Sequence, residues 1–373
     1  MQRGKTLQEL AAEVQRQQDV KADYIAPSTA LSLVAREPSA EAGETRNEMM
    51  LKLKSNGGSL GEGDTLGVMD SWFTMGHTFH SQMASSLGVP LKYWERMRTE
   101  APALLANNAN HWLQQDDRRR MVRTLDGRAR AYLSDSYRPL DNFDLCEAVL
   151  PVIADGALGL TVKSCEVTER RLYIQVVSDK LVGDVKVGDT IQGGFTISNS
   201  EIGAGGFNID EWILRLLCLN GMTGERILGK YHAGSKAGGL MEDVQAFYRD
   251  STRRLDDAAF FAKVTDTVRH VVSEERFAVT LKRLQGATET QIKPVEGVEV
   301  VAKRLNLNDT DKASVLNHLI EGGDLSLWGI GNAVTRMAHD AADYDRGIEF
   351  QKAGNDVIEL PRSAWQELGA LAA

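Results

Sequence analysis

Apolar and polar positions change rhythm several times along the chain, and each change marks an expected element. Residues 5 to 20 (KTLQELAAEVQRQQDV) place leucine, alanine and valine at helical spacing opposite a charged face, which predicts a short amphipathic helix. Residues 36 to 46 (REPSAEAGETR) are small, polar and acidic and read as a flexible connector. From residue 48 to 74, short apolar runs broken by NGG and GEGD predict strands or a hairpin. Residues 78 to 115 predict three helices separated by Pro90 and Pro102, because proline sits comfortably in a first helical turn. RARAYLSDSYRPL should hold a strand and a turn, and DNFDLCEAVLPVI a helix capped by Asp141 or Asn142. LGLTVKSCEVTE, RLYIQVVS and DTIQGGFTISNS alternate apolar with polar residues, as antiparallel strands do. WILRLLCL, residues 212 to 219, suits either a helix continuing from an Asp210 cap or a buried strand ending at the NG turn; a helix is expected. Amphipathic runs over 240 to 285, 309 to 321 and 326 to 345 predict further helices, and no internal repeat is visible.

This reading amounts to an α+β protein with a central antiparallel sheet flanked by helices and a helical C-terminal region. Four segments are expected: an N-terminal helix and connector (1–46), a small mixed or helical subdomain (47–127), an α+β core (128–250) and the helical region (251–373). At 373 residues, 42% hydrophobic and 25% charged, the chain can bury ordinary globular cores without metal or disulfide staples. Cys146, Cys165 and Cys218 are far apart in apolar surroundings and read as reduced core thiols of the cytosol. No apolar leader and no run near the ~18 residues of a membrane span is present, so a cytoplasmic location in a bacterial host, away from membranes, is expected.

Charge adds a polarity to this picture. The net charge of −9 opposes attraction to a polyanion, so a nucleic-acid role requires local positive charge. Residues 118 to 138 supply it, with Arg118, Arg119, Arg120, Arg123, Arg128, Arg130 and Arg138 against Asp126 and Asp135, a balance of +5; residues 339 to 373 carry −4. In a strand, Arg128 and Arg130 share one face, so alternate positions would present a row of guanidinium groups beside the planar rings of Tyr132 and Tyr137. The bland alternatives are a solvated end of a helix at RRR, a packed turn at Tyr137 and Arg138 before Pro139, and a tail that aids solubility.

Other constellations carry less. SQMASSLGVPLKYWERM can be a helix-turn-helix, with Ala84 at the crossing and Gly88 in the turn, but Leu91, Trp94 and Met97 look like packing residues of an ordinary helical hairpin. ISNSEIGAGGF could cup an anion on its backbone N–H groups or form a bulge or tight hairpin, and it has neither P-loop nor dinucleotide-binding spacing. His77, His80 and His111 lack a complete metal-ligand pattern; Cys218, Asn220 and His232 lack a placed base; Asp256, Asp257 and the DAADYD acids lack a two-metal motif. No catalytic residue, metal or cofactor is therefore expected.

Four strings, RARAYLSDSYRPLDN, FTISNSEIGAGGF with LRLLCLNGM, LGVPLKYWERMRTEAPALLANNANHWL and WGIGNAVTRMAHDAADYDRGIEFQKAG, resemble segments of a phage and plasmid family known as domain of unknown function 932. The resemblance spans residues 73 to 354 and implies DNA metabolism on a mobile element by association. The order helix, antiparallel strands, helix also resembles the core of ring-forming single-strand annealing proteins of the lambda Red beta superfamily. It implies a non-catalytic protein that binds or anneals single-stranded DNA and self-associates as a ring or filament. Two other expectations stand beside it: an accessory protein that binds another protein and has no DNA affinity, and an undetected metal-dependent nuclease.

Overall fold

The computed structural model describes residues 4–36, 48–54, 59–60, 64–65, 70–230, 250–367 and 369–372. The expected connector and the LMEDVQAFY stretch therefore lie almost entirely outside the described residues. Two sheets organise the rest. The first contains eight strands: β1 (Ala22–Pro27), β2 (Leu31–Arg36), β3 (Glu48–Leu53), β4 (Ser59–Leu60), β5 (Asp64–Thr65), β6 (Ser71–Met75), β7 (Arg119–Leu125) and β8 (Arg128–Ser134), in the order β2-β3-β6-β8-β7-β1-β4-β5. Its pairs are antiparallel except β6 with β8.

Helices α2 (His77–Ser86), α3 (Leu91–Glu100) and α4 (Pro102–Leu113) cap one face of this sheet. Phe79, Met83, Trp94, Leu105 and Leu113 pack there against Leu33, Leu51, Phe73, Val122 and Tyr132. The three helices follow the proline spacing, and Pro102 occupies the first turn of α4. Gly88 supplies the positive φ of 71° that turns α2 into α3.

The second sheet is a five-stranded antiparallel meander: β9 (Leu160–Val167), β10 (Leu172–Lys186), β11 (Asp189–Asn199), β12 (Phe207–Arg215) and β13 (Asn220–Lys230). On one face Leu172, Ile174, Phe195, Ile197, Phe207 and Ile209 pack against α1 (Leu7–Val20), α5 (Asn142–Ile153) and α6 (Asp250–His270). Phe277 and Leu284 of α7 (Glu274–Glu289) extend this cover towards Ile191, Ile213 and Met222. The opposite face combines a small apolar cluster of Val177, Trp212 and Leu214 with polar contacts to the C-terminal helices. Gln175 Nε2 and Trp212 Nε1 both donate to Gln351 Oε1 of α11 (Tyr344–Ile358), at 2.7 and 2.9 Å, and Lys352 donates to Asp210 at 3.2 Å. Helices α8 (Pro294–Leu305), α9 (Asp309–Gly322), α10 (Leu327–Arg336), α11 and α12 (Arg362–Glu367) form the C-terminal region around Val301, Val315, Ile330, Val334 and Trp365.

The α+β class, the flanked antiparallel sheet and the helical C-terminal region are as the pattern predicts. Three local readings are corrected. The helix expected over WILRLLCL is the end of β12 and the turn after it, because Trp212, Ile213 and Leu214 are buried on both faces of the sheet and leave no helical polar side. Residues 22–36, assigned to no element by periodicity, form β1 and β2 and bring the N-terminal segment into the first sheet. The boundary expected between 127 and 128 falls in the Asp126–Gly127 turn of the β7–β8 hairpin, so it divides one sheet rather than two domains.

Candidate binding surface

The segment that carries the positive balance becomes the hairpin β7–β8, which lies where the two sheets meet. Arg123 is fully buried: Nε donates to Asp23 Oδ1 at 2.8 Å, Nη2 to Asp141 Oδ1 at 2.9 Å and Nη1 to the carbonyl of Glu201 at 2.8 Å. Lys21 also pairs with Asp141. Burial pushes the Asp141 carboxyl up, but Arg123 and Lys21 more than offset it and hold the group well below the ordinary carboxylate range. Arg130 Nη2 donates to Glu201 Oε2 at 2.6 Å, and the other oxygen of Glu201 accepts from the backbone N–H of Asn142 at 2.7 Å. Lys21, Arg123 and Arg130 thus face Asp23, Asp141 and Glu201, three cations against three anions, in a clamp that closes on itself.

The row of guanidinium groups expected on β8 does not form. Arg123 pairs with Ala131 and Thr124 with Ala129, so Arg130 is the extra residue of a bulge and turns inward, while Arg128 stays exposed, 3.6 Å from Glu169. Arg118 grips Asp116 in a bidentate pair at 2.7 and 3.0 Å and holds that carboxyl down at about 2; Arg120 reaches the same carboxylate at 3.4 Å and lies over the Tyr132 ring. Tyr132 and Tyr137 are buried, Tyr137 in the turn closed by its N–H to Ser134, so neither ring is open for stacking. Arg119 and Arg138 are exposed. Arg128 pairs with Leu125, six residues along β7 from Arg119, which separates these cations by on the order of 20 Å.

The glycine loop 200–206 is the other jaw of the clamp. Ser200 accepts from the Ala204 N–H at 3.1 Å, Gln82 donates to the Ile202 carbonyl at 2.7 Å, and Arg171 donates to the Ala204 carbonyl at 3.3 Å. Its hydrogen-bonding groups join strands and helices, as the tight-turn reading of ISNSEIGAGGF expects. His80 is buried and its Nδ1 accepts from Trp94 Nε1 at 3.2 Å, whereas His77 is exposed. No group of three or more metal-ligating side chains occurs among the described residues, and His232 lies outside them. Asp343 caps α11 and Asp345 accepts from the Tyr173 hydroxyl at 2.8 Å, which gives the DAADYD acids structural partners.

An open cleft of about 280 Å³ lies where the C-terminal ends of α2 and α4 meet the link into β7, lined by Ser86, Leu87, Trp112, Gln115, Asp116 and Arg118. Trp112 is 46% exposed, and Tyr93, Leu91 and Leu104 are exposed elsewhere on the same helical cap. Leu91 therefore does not pack as expected, whereas Trp94 is buried and Met97 packs against the core. Three arginines on and beside the cap are paired, Arg96 with Glu100, Arg98 with Glu95 and Arg118 with Asp116, while Lys92 and Arg119 are exposed. Sequence reasoning passed over Trp112 because it stands seven residues from Leu105, on the same side of α4, where helical spacing predicts burial and gives no sign of its exposure.

No protein-family model matches this chain, and neither a curated protein nor a solved structure matches it.

Proposed function

We propose that this chain is a non-catalytic binding protein that engages a partner protein through the cap α2–α4, with Trp112 and Arg118 at the centre of the contact. The observation that carries this reading is an exposed tryptophan beside an open cleft whose arginine, Arg118, is already held by Asp116. Aromatic residues and arginine dominate the energetics of protein interfaces, and an arginine already engaged by a carboxylate suits a protein better than a polyanion. A photo-crosslinker placed at Leu104 or Gln115 in host cells should give a discrete adduct that is lost with Trp112→Ala, while the same probe at Lys263 on α6 gives none. Equal labelling from all three positions would sink the proposal.

The nucleic-acid reading keeps one specific support, the planar Trp112 lining the same cleft as the exposed guanidinium group of Arg118. In that case labelled single-stranded oligonucleotide binds with log affinity falling steeply against log salt, Arg119→Glu weakens it, and ring or filament assembly adds avidity. Absence of oligonucleotide binding at low salt excludes it, and tight, salt-sensitive binding displaces the protein-partner reading.

A further inference from the structure

Two rows of polar side chains cross sheet two beneath α11. The strand register sets Glu166, Tyr173, Ser198 and Asn208 in one row, and Ser164, Gln175, Thr196, Asp210 and Arg226 in the next. Apart from Glu166 and Arg226, all are at most 5% exposed. Buried positions are ordinarily apolar, as they are on the other face of this sheet. α11 meets the rows through hydrogen bonds and an ion pair. The Tyr344 and Ser164 hydroxyls stand 2.8 Å apart, Tyr173 donates to Asp345, Gln175 to Gln351, and Lys352 to Asp210. The Ser198 hydroxyl, 1% exposed, has no partner among the described residues.

The far rim of the sheet is held differently. Trp328 and Ile358 join Ile213, Met222 and Phe277 in an apolar cluster, and Trp328 Nε1 donates to Asp189 at 2.8 Å. The chain enters the C-terminal helices at this rim, where the Thr290 carbonyl accepts from the Leu327 N–H at 3.0 Å. Asp189 and Ser198 are nine residues apart on β11, which puts the anchored rim about 30 Å from the first polar row. Helices α8 to α11 also share a core of their own around Val301, Val315, Ile330 and Val334, and that core travels with them.

We infer that the C-terminal helices are a lid that turns as one body about the far rim, and that its closed position, seen here, shields the two polar rows. A polar seam parts at small net loss, because water replaces each hydrogen bond, whereas an apolar seam exposes hydrocarbon when it parts. The groups left behind are provided for. Asp210 keeps Arg226, whose Nε lies 3.5 Å away, and the Ser198 hydroxyl gains the partner that the closed position denies it. Contacts of this polar kind are typical of surfaces between bodies that move relative to one another.

Thiol labelling of the full chain tests this. The chain carries Cys218→Ser and Ser198→Cys, and the native Cys146 and Cys165, buried in the apolar core of the other face, serve as controls. Iodoacetamide followed by peptide mass mapping reads each position. The thiol at position 198 is expected to react on the order of 100-fold faster than Cys146 or Cys165, because opening of the lid reaches it without global unfolding. Gln351→Leu removes the acceptor that Gln175 and Trp212 share, and is expected to raise the rate at position 198 about tenfold while leaving Cys146 unchanged. Thr196→Cys reports on the second row in the same way and covers the case in which Ser198→Cys disturbs folding. Labelling at positions 196 and 198 as slow as at Cys146, or a Gln351→Leu chain in which every thiol speeds up equally, overturns the inference, since the rows would then be reached by global unfolding alone.

Discussion

Burial decides the chemistry of single residues more than residue type does, and His80 shows how. Its ring sits under α3, accepts from Trp94, and has its pKa lowered to about 3, first by desolvation and then by the charges of Arg98, His77 and Arg128. The unfolded chain takes up this proton near pH 6.5 and the folded chain only near 3, so the unfolded state binds more protons between those values. The contribution of His80 is therefore complete above 6.5 and is lost as the pH falls towards 3, at about 1.4 kcal/mol per unit. At pH 5 this amounts to about 2 kcal/mol. His80→Gln keeps an acceptor for Trp94 and removes the titration. Urea midpoints between pH 7 and 5 should then fall less in the variant than in the parent, and parallel slopes would show that His80 is not the group responsible. Arginine follows the same logic: Arg123 and Arg118 are identical in sequence terms, yet one is enclosed by carboxylates in the interior and the other is held by a single surface partner.

At the scale of elements, close approach sets what each strand tolerates. Gly194 on β11 lies against β10 so tightly that a Cβ would stand 1.9 Å from the Val176 carbonyl oxygen and 2.6 Å from the Val177 Cα. Both are backbone atoms, so Gly194→Ala should cost about 3 kcal/mol by pushing two strands apart. Gly156→Ala, with nothing within 4 Å, should stay within about 0.5 kcal/mol. Comparable losses in the two variants, read from denaturant midpoints, would refute the close-approach argument. The same scale separates what periodicity made legible from what it did not. α1 to α5 and β9 to β11 follow from amphipathic rhythm, proline placement and alternation, all of which act within a few residues, whereas the cap expected from Asp141 does not form because its carboxylate is taken by Lys21 and Arg123. β12 was misread because a strand buried on both faces loses its alternation and resembles a buried helix. β1 and β2 escaped notice because their pairing with β7 and β3 is decided far along the chain. The basic segment was misjudged for a related reason: the carboxylates that neutralise Arg123 and Arg130 come from residues 23, 141 and 201, and local charge counting cannot see them.

At the scale of the molecule, the clamp determines whether the two sheets behave as one body. Glu201 is its most exposed dependency in energetic terms, because one carboxylate neutralises Arg130 and also satisfies the backbone N–H of Asn142 at the start of α5. Removing it leaves a guanidinium and an amide buried without their acceptor, a loss on the order of 3 to 5 kcal/mol for breaking such a buried pair. That loss falls on the junction and not on either core, since the helices over each sheet pack in separate apolar clusters. With the clamp intact, calorimetry should record a single unfolding transition that includes both sheets. In Glu201→Ala the first sheet with its cap should melt ahead of the second, so the transition splits or broadens while the upper component stays close to the parent. Arg118→Ala, which removes a surface pair worth less than about 1 kcal/mol, should leave one sharp transition. A Glu201→Ala chain that melts as sharply as the parent would mean that apolar contact, not the ionic clamp, unites the halves, and the positive charge of residues 118 to 138 would need another explanation.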